Sequence, residues 1–202
     1  MARTKEFNPT KALAKAMAVF WRLGYERASL DELLREMGIA KQSLYDTFGD
    51  KRALYLKALA YYRDTTNEHT RQVLESSPTV RAGFAKLLLS MSAESREQHA
   101  RGCLLLSANM ERDTHDEVIA EFLRDNQARV EAIFVNALRR AQSADELPAD
   151  ADPRALARYF IITIQGMRAM ARLRSDRRAL EQVANLALAV FDRPQLEAAA
   201  SE

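Results

Sequence analysis

The sequence predicts an all-α fold, on three observations. Glycine (6) and proline (5) are sparse in 202 residues, so helix breakers are few. Ala, Leu, Arg and Glu recur throughout while aromatic residues make up only 7%, a helix-forming composition. Hydrophobic residues amount to 48%, enough to bury a core and to build one small module plus one larger domain, which makes disorder and fibrous repeats poor readings.

Asn8-Pro9 reads as an N-cap followed by proline at the first helical position, after which Leu13, Met17, Phe20 and Trp21 recur at helical spacing and Gly24 closes the helix. Ser29-Leu30-Asp31-Glu32 is a capping-box sequence, in which the Ser29 hydroxyl accepts the Glu32 amide and the Glu32 side chain reaches back. Leu30, Leu33, Leu34 and Met37 give the second helix its apolar face, and Gly38 ends it. Ile39 is then expected as a buried plug in the turn. Ala40 to Thr47 predicts a short third helix with Leu44 and Phe48 inward and Lys41, Gln42, Ser43 and Tyr45 on the other face.

Two short helices joined by a glycine-containing turn have the geometry of a helix-turn-helix, whose second helix enters the DNA major groove. The outward residues suit that task. Gln pairs bidentately with adenine, Ser bonds several base edges, and Lys and Tyr hold phosphates or, for Lys, guanine. An ordinary αα-hairpin with a solvated polar face has the same pattern, so the pattern alone leaves both readings open.

From Asp50, read as a cap, a long helix runs through Leu54, Ala58, Leu59 and Tyr62 until Ser76-Ser77-Pro78 breaks it. Further helices are predicted from about Val80 to Gln98, Gly102 to Arg112, His115 to Ala144, Pro153 to Leu173 and Arg177 to Phe191, with breaks at Thr114, Leu147 to Pro153 and Ser175-Asp176, making about nine helices in all. An Ala-rich tail after Pro194 is expected to fray. The last two helices are apolar over wide faces, with Leu156, Tyr159, Phe160, Ile162, Ile164, Met167 and Met170 on one and Val183, Leu186, Leu188, Val190 and Phe191 on the other. A single-domain core does not readily cover all of that.

Residues 1–60 carry 11 Lys/Arg against 7 Asp/Glu, leaving 19 against 21 for the rest, within an overall charge of +2. A local basic excess suits a phosphate-binding face but is too small to carry the argument. One cysteine cannot form an intrachain disulfide, so the cytoplasm is the expected compartment. No N-terminal signal sequence is read, and the most apolar stretch, Tyr159 to Ile164, has Arg158 and Arg168 close by and falls far short of the roughly 20 residues of a membrane span.

The segment GYERASLDELLREMGIAKQSLYDTFGDKRALYLKAL resembles the tetracycline-repressor (TetR) type of bacterial regulators. Gly24, Ser29, Leu33, Gly38, Ile39, Leu44, Tyr45, Phe48 and Lys51 all stand where that pattern wants them, over residues 8 to about 60. The resemblance implies a helix-turn-helix DNA-binding domain at 1–50 and a helical ligand-binding and dimerisation domain at 51–202. It also implies a homodimer on a palindromic double-stranded DNA operator, with the last two helices forming a four-helix interface that sets the recognition helices about one DNA turn, roughly 34 Å, apart. Two core helices in a monomer are the alternative. Lys41, Gln42 and Ser43 fall on base- or phosphate-facing positions, Tyr45 on a phosphate-contacting tyrosine, Lys51 on a phosphate-gripping lysine, and Ser29 can both cap and touch the backbone. Asp46-Thr47 replaces an aromatic-histidine pair of many relatives, and Asp46, repelled by phosphate, is excluded from the contacts. Gln42 stands where relatives often have glycine and is expected to read a base that others leave alone.

The implied function is a regulator, read as a repressor, released by a small-molecule effector of unknown identity or by modification of Cys103. Cys103 lies in ARGCLLLSANME, which resembles a Gly-Cys-Leu segment in a subset of the family, some of whose members sense electrophiles or oxidants. A thiol in a helix's first turn beside Arg101 would be favoured as thiolate. An inert, buried cysteine is the alternative. Met91, Cys103, Met110, Phe84, Phe122, Phe134, Met167 and Met170 could line an apolar pocket or simply be core. Catalysis is not expected, since His69, His99 and His115 lack metal-ligand spacing and there is neither a Gly-rich phosphate loop nor a nucleophile elbow. No cofactor or metal is expected. His115-Asp116-Glu117 reads as a solvated helix start. A helical protein-interaction module without a DNA role is the other rival.

Overall fold

The computed structural model describes residues 7–110, 116–174 and 176–192. Among them are ten α-helices, a short 3-10 turn and no strand: α1 (Pro9–Leu23), α2 (Leu30–Met37), α3 (Lys41–Phe48), α4 (Lys51–Ser76), α5 (Val80–Ser92), α6 (Arg96–Arg101), α7 (Leu104–Met110), α8 (Glu117–Ser143), α9 (Pro153–Leu173) and α10 (Arg177–Leu188), then the turn Ala189–Phe191. The all-α expectation holds. The breaks read at Thr114 and Ser175, the helix start at His115 and the tail after Pro194 lie outside the described residues.

One expected helix is two. The stretch read from Val80 to Gln98 leaves the helix at Ala93, and Ser95 opens a new one by a reciprocal cap: its hydroxyl accepts the Gln98 amide at 3.2 Å while Gln98 Oε1 accepts the Ser95 amide at 2.7 Å. Gly102, at φ 62°, ends α6, so α7 begins at Leu104 rather than at Gly102. Two other caps read from the sequence are in place. Asn8 Oδ1 accepts the Lys11 amide at 3.0 Å, and Asp50 Oδ1 accepts the Ala53 amide at 2.7 Å.

Contacts divide the chain into two compact units. One takes α1–α3, α4 up to Thr66, and Cys103–Leu123; the other takes Asn67–Gly102 and the chain from Arg124 onward. The first unit therefore includes more than the first 50 residues. Its core is built from Ala16, Phe20, Leu33, Leu44, Leu54 and Leu59, joined by Leu104, Ala108 and Ile119. Phe20 meets Tyr55 edge-on at 4.9 Å, and Trp21 meets Tyr62 in the same way at 4.9 Å.

The second unit centres on Phe84 of α5, which stacks on Phe160 at 4.2 Å, meets Phe134 edge-on at 5.1 Å and leans on Phe191 at 5.8 Å. Glu146, in the corner between α8 and α9, accepts the amides of Val80 and Arg81 at 2.9 and 2.8 Å and so caps α5 from outside. In that corner Gln142 Nε2 donates towards the carbonyls of Pro148, Ala149 and Ala151. No described helix is long and apolar enough to cross a membrane.

Candidate nucleic-acid interface

The α2–turn–α3 segment starts from the Ser29 hydroxyl, which accepts the Glu32 amide at 3.1 Å. The reciprocal half of the expected box is replaced by a tertiary contact, because Glu32 Oε1 instead accepts Arg22 Nη2 of α1 at 3.0 Å. Gly38 adopts the left-handed conformation, φ 71° and ψ 37°, and the amides of Gly38 and Ile39 both return to the Leu34 carbonyl. A residue with Cβ would be strained at that φ, although the space around Gly38 is open.

Leu44 and Phe48 are buried and fasten α3 to the core. Lys41, Gln42 and Tyr45 are exposed and Ser43 is half-buried, so the outward face read from the sequence is the outward face of the helix. Gln42 and Asp46, one turn apart, are joined by a hydrogen bond from Gln42 Nε2 to Asp46 Oδ1 at 2.8 Å. The last carbonyls of α3, at Thr47 and Phe48, accept Lys57 Nζ of α4 at 3.4 and 3.0 Å. Sequence reasoning missed Lys57: a cation capping the C-terminal end of a different helix leaves no local signal.

Lys51, first residue of α4, is half-buried, with Nζ 4.5 Å from the Tyr25 ring centre and 3.4 Å from the Glu26 carbonyl. Tyr25 was also missed. Its phenol pKa is raised, first by partial burial and then by the nearby carboxylates of Glu26 and Asp50.

Arg52 forms a bidentate pair with Asp116, Nε to Oδ2 at 2.6 Å and Nη2 to Oδ1 at 2.7 Å, and Asp116 Oδ1 also accepts the Ile119 amide at 3.1 Å. The Arg52 hydrogen bonds hold the Asp116 carboxyl below the usual carboxylate range, against the opposing effect of partial burial, and the Ile119 amide adds to the lowering. A carboxyl depressed in the folded state contributes stability above its unfolded value of about 3.9 and loses it as pH falls through the folded value. Asp116→Asn retains an amide acceptor, so its deficit against the parent protein is expected to be steady at neutral pH and to shrink on acidification below about pH 4. Urea melts across that range check it; a deficit that grows with acid would contradict it.

Cys103 is half-buried, packs against the first unit's core and sits just before α7, its carbonyl accepting the Ser107 amide at 2.9 Å, so it caps the helix instead of lying in its first turn. Of the residues considered for a pocket, Phe84, Phe134, Met91 and Met167 are second-unit core, Phe122 packs beneath the Arg63 guanidinium at 4.7 Å, and Met110 and Met170 are exposed. Phe160 and Met167 of α9, Leu188 of α10 and Phe191 of the following turn are buried, whereas Tyr159, Ile162, Met170 and Leu173 of α9 and Val183 and Leu186 of α10 remain exposed, Ile162 at 68% and Leu186 at 73%. Among the described residues no group of three or more His, Cys, Asp or Glu is placed to hold a metal ion, and His115 lies outside them.

A three-helix module that ends in an outward polar helix has the architecture of a helix-turn-helix. Residues 12–58 match the family described as bacterial regulatory proteins, tetR family, and residues 78–187 match the tetracyclin repressor-like C-terminal domain. The chain belongs to the TetR family of DNA-binding transcriptional regulators. It is 32% identical over 194 residues to the HTH-type transcriptional regulator YezE of Bacillus subtilis, covering 95% of this chain and 100% of that one. It is 28% identical over 193 residues to the HTH-type transcriptional repressor ComR of Escherichia coli, covering 94% and 91%. A cysteine-substituted variant of the TetR family regulator CifR, solved with 26-bp double-strand operator DNA, superposes with a TM-score of 0.82 at 34% identity, covering 93% of this chain and 98% of that one. The matched families and relatives are transcriptional regulators, not enzymes.

Proposed function

We propose that the chain is a cytoplasmic repressor that binds a palindromic operator as a homodimer and is released by a small-molecule effector or by modification of Cys103. The observation that carries the reading is α3 itself, anchored by Leu44 and Phe48 with Lys41, Gln42, Ser43 and Tyr45 on its free side. The operator complex of CifR supports it. Gln42 and Ser43 meet base edges, Lys41 and Tyr45 meet phosphates or, for Lys41, guanine, and Lys51 grips phosphate from its seat against Tyr25. Ser29 accepts the Glu32 amide with a lone pair, which leaves its O–H to donate to a phosphate oxygen.

The exposed apolar strip of α9 and α10 supports pairing with a second copy, because a patch of large side chains on a regulator of this family is best buried by itself under two-fold symmetry. The division of labour falls near residue 50, with DNA reading at 1–50 and effector binding and pairing at 51–202. An effector releases DNA to the extent that it binds the DNA-free state more tightly.

Selection of bound duplexes from a random pool tests this reading. A recovered palindrome is expected, with an affinity that falls steeply with salt as phosphate counterions are released. Lys51→Ala should weaken all sequences alike and reduce the salt slope by about 1. Absence of salt-dependent duplex binding would favour a protein-interaction module instead. For the cysteine, operator release by electrophiles should be lost in Cys103→Ser; release that persists there removes Cys103 from the mechanism.

A further inference from the structure

The recognition helix carries an acidic residue on its exposed side, which DNA binding by itself does not explain. Asp46 lies one turn beyond Gln42, both are exposed, and Gln42 Nε2 donates to Asp46 Oδ1 at 2.8 Å. An ionised carboxylate only accepts hydrogen bonds, so the Gln42 amide must turn its nitrogen towards Asp46. Its oxygen is thereby directed away. A free glutamine can flip, and so can offer either donors or an acceptor to a base edge. A glutamine held in this way offers Oε1 together with its one remaining N–H.

We infer that Asp46 is a positioning residue that fixes the flip of the Gln42 amide, so that Gln42 selects a base presenting an exocyclic amino group in the major groove. The bases that do so are adenine, through N6, and cytosine, through N4; guanine and thymine present only acceptors at the corresponding sites. The Asp46 carboxylate reinforces the choice, because a negative charge beside the base edge disfavours the N7 and O6 acceptors of guanine. In bulk water one exposed hydrogen bond of this kind fixes little. Docking against a base edge excludes water from both partners, and the bond then governs orientation. An acidic side chain that would only repel phosphate thus acquires a role in specificity.

The inference rests on α3 being the recognition helix, and the experiment separates the two. Full-length protein and its Asp46→Ala, Asp46→Asn and Gln42→Ala variants are each presented with a random duplex pool, and the bound sequences are compared position by position. For the parent protein, one position in each half-site should carry adenine or cytosine on the contacted strand. Asp46→Ala should lose roughly tenfold or more of the discrimination against guanine at that same position, while the other positions stay sharp. Asp46→Asn should lose it too, since a carboxamide accepts and donates and so no longer dictates the flip. Gln42→Ala should blur the same position, and the double variant Gln42→Ala/Asp46→Ala no further. A base pair substituted with 7-deazaadenine, which keeps the N6 amino group and lacks the N7 acceptor, then shows whether the remaining Gln42 N–H also takes part. Weakened binding shows adenine read at two points, and unchanged binding shows an amino group read alone.

Two results would overturn the inference while leaving DNA binding intact: a sharp position in the Asp46→Ala pool where Gln42→Ala blurs, or blurring of different positions by the two variants. No sequence recovered by the parent protein would instead overturn the DNA-binding reading itself. Both residues are exposed, and thermal melts of the variants should overlay the parent.

Discussion

Phe84→Ala is expected to lower folding stability by about 3–5 kcal/mol. The side chain is fully buried, with Phe160 stacked on one side at 4.2 Å and Phe134 and Phe191 within 6 Å at its edges. Truncation removes the transfer free energy of the ring and leaves a hole that three other rings, each fixed on a different element, cannot close together. Aromatic pairs of this geometry add about 0.5–1.5 kcal/mol beyond buried area. Against a total stability of roughly 5–15 kcal/mol the loss would be severe. Urea unfolding measures it, and a deficit below about 1 kcal/mol would show that the second unit does not depend on this cluster.

The second large effect is expected at Leu44→Ala, at about 2–5 kcal/mol. Here the local consequence exceeds the global one. α3 has only eight residues, too short to persist in water alone, and Leu44 and Phe48 are its two buried residues. Loss of Leu44 should detach the helix and abolish operator binding at temperatures where most of the helical circular dichroism survives. Leu44→Met conserves volume, should cost less than about 1.5 kcal/mol and should restore binding. Equal operator affinity for Leu44→Ala and the parent would mean that α3 is not the helix that docks.

Features written into neighbouring residues were legible from the sequence. Asn8-Pro9, Ser29, Gly38 and Asp50 bound their helices as expected, and α9 runs from Pro153 to Leu173 as read. The break between α5 and α6 was equally local. Ser95 and Gln98 have capping-box spacing, but helical periodicity on both sides hid the interruption. Partners distant in sequence were not legible. Nothing near Arg52 announces Asp116, 64 residues away, and nothing near Val80 announces Glu146. Asp46 lies between these cases. Its partner stands one turn back on the same helix, within reach of the i,i+4 rule, but judging Asp46 solely by its repulsion of phosphate removed it from consideration. Of the residues proposed to face DNA, the exposure of Lys41, Gln42 and Tyr45 followed from the positions of Leu44 and Phe48, whereas the seating of Lys51 on Tyr25 needed the tertiary structure.

The two oxygens of Glu146 satisfy amides at the start of α5 that a helix ordinarily leaves to water. When the corner that carries Glu146 lifts, those two amides lose their acceptors at the same moment, and the first turn of α5 is left to the Thr79 hydroxyl, which accepts the Ala82 amide at 3.0 Å. The helix start and the corner, more than sixty residues apart along the chain, are thus coupled through one carboxylate, and a substitution that removes it is expected to raise fraying at both.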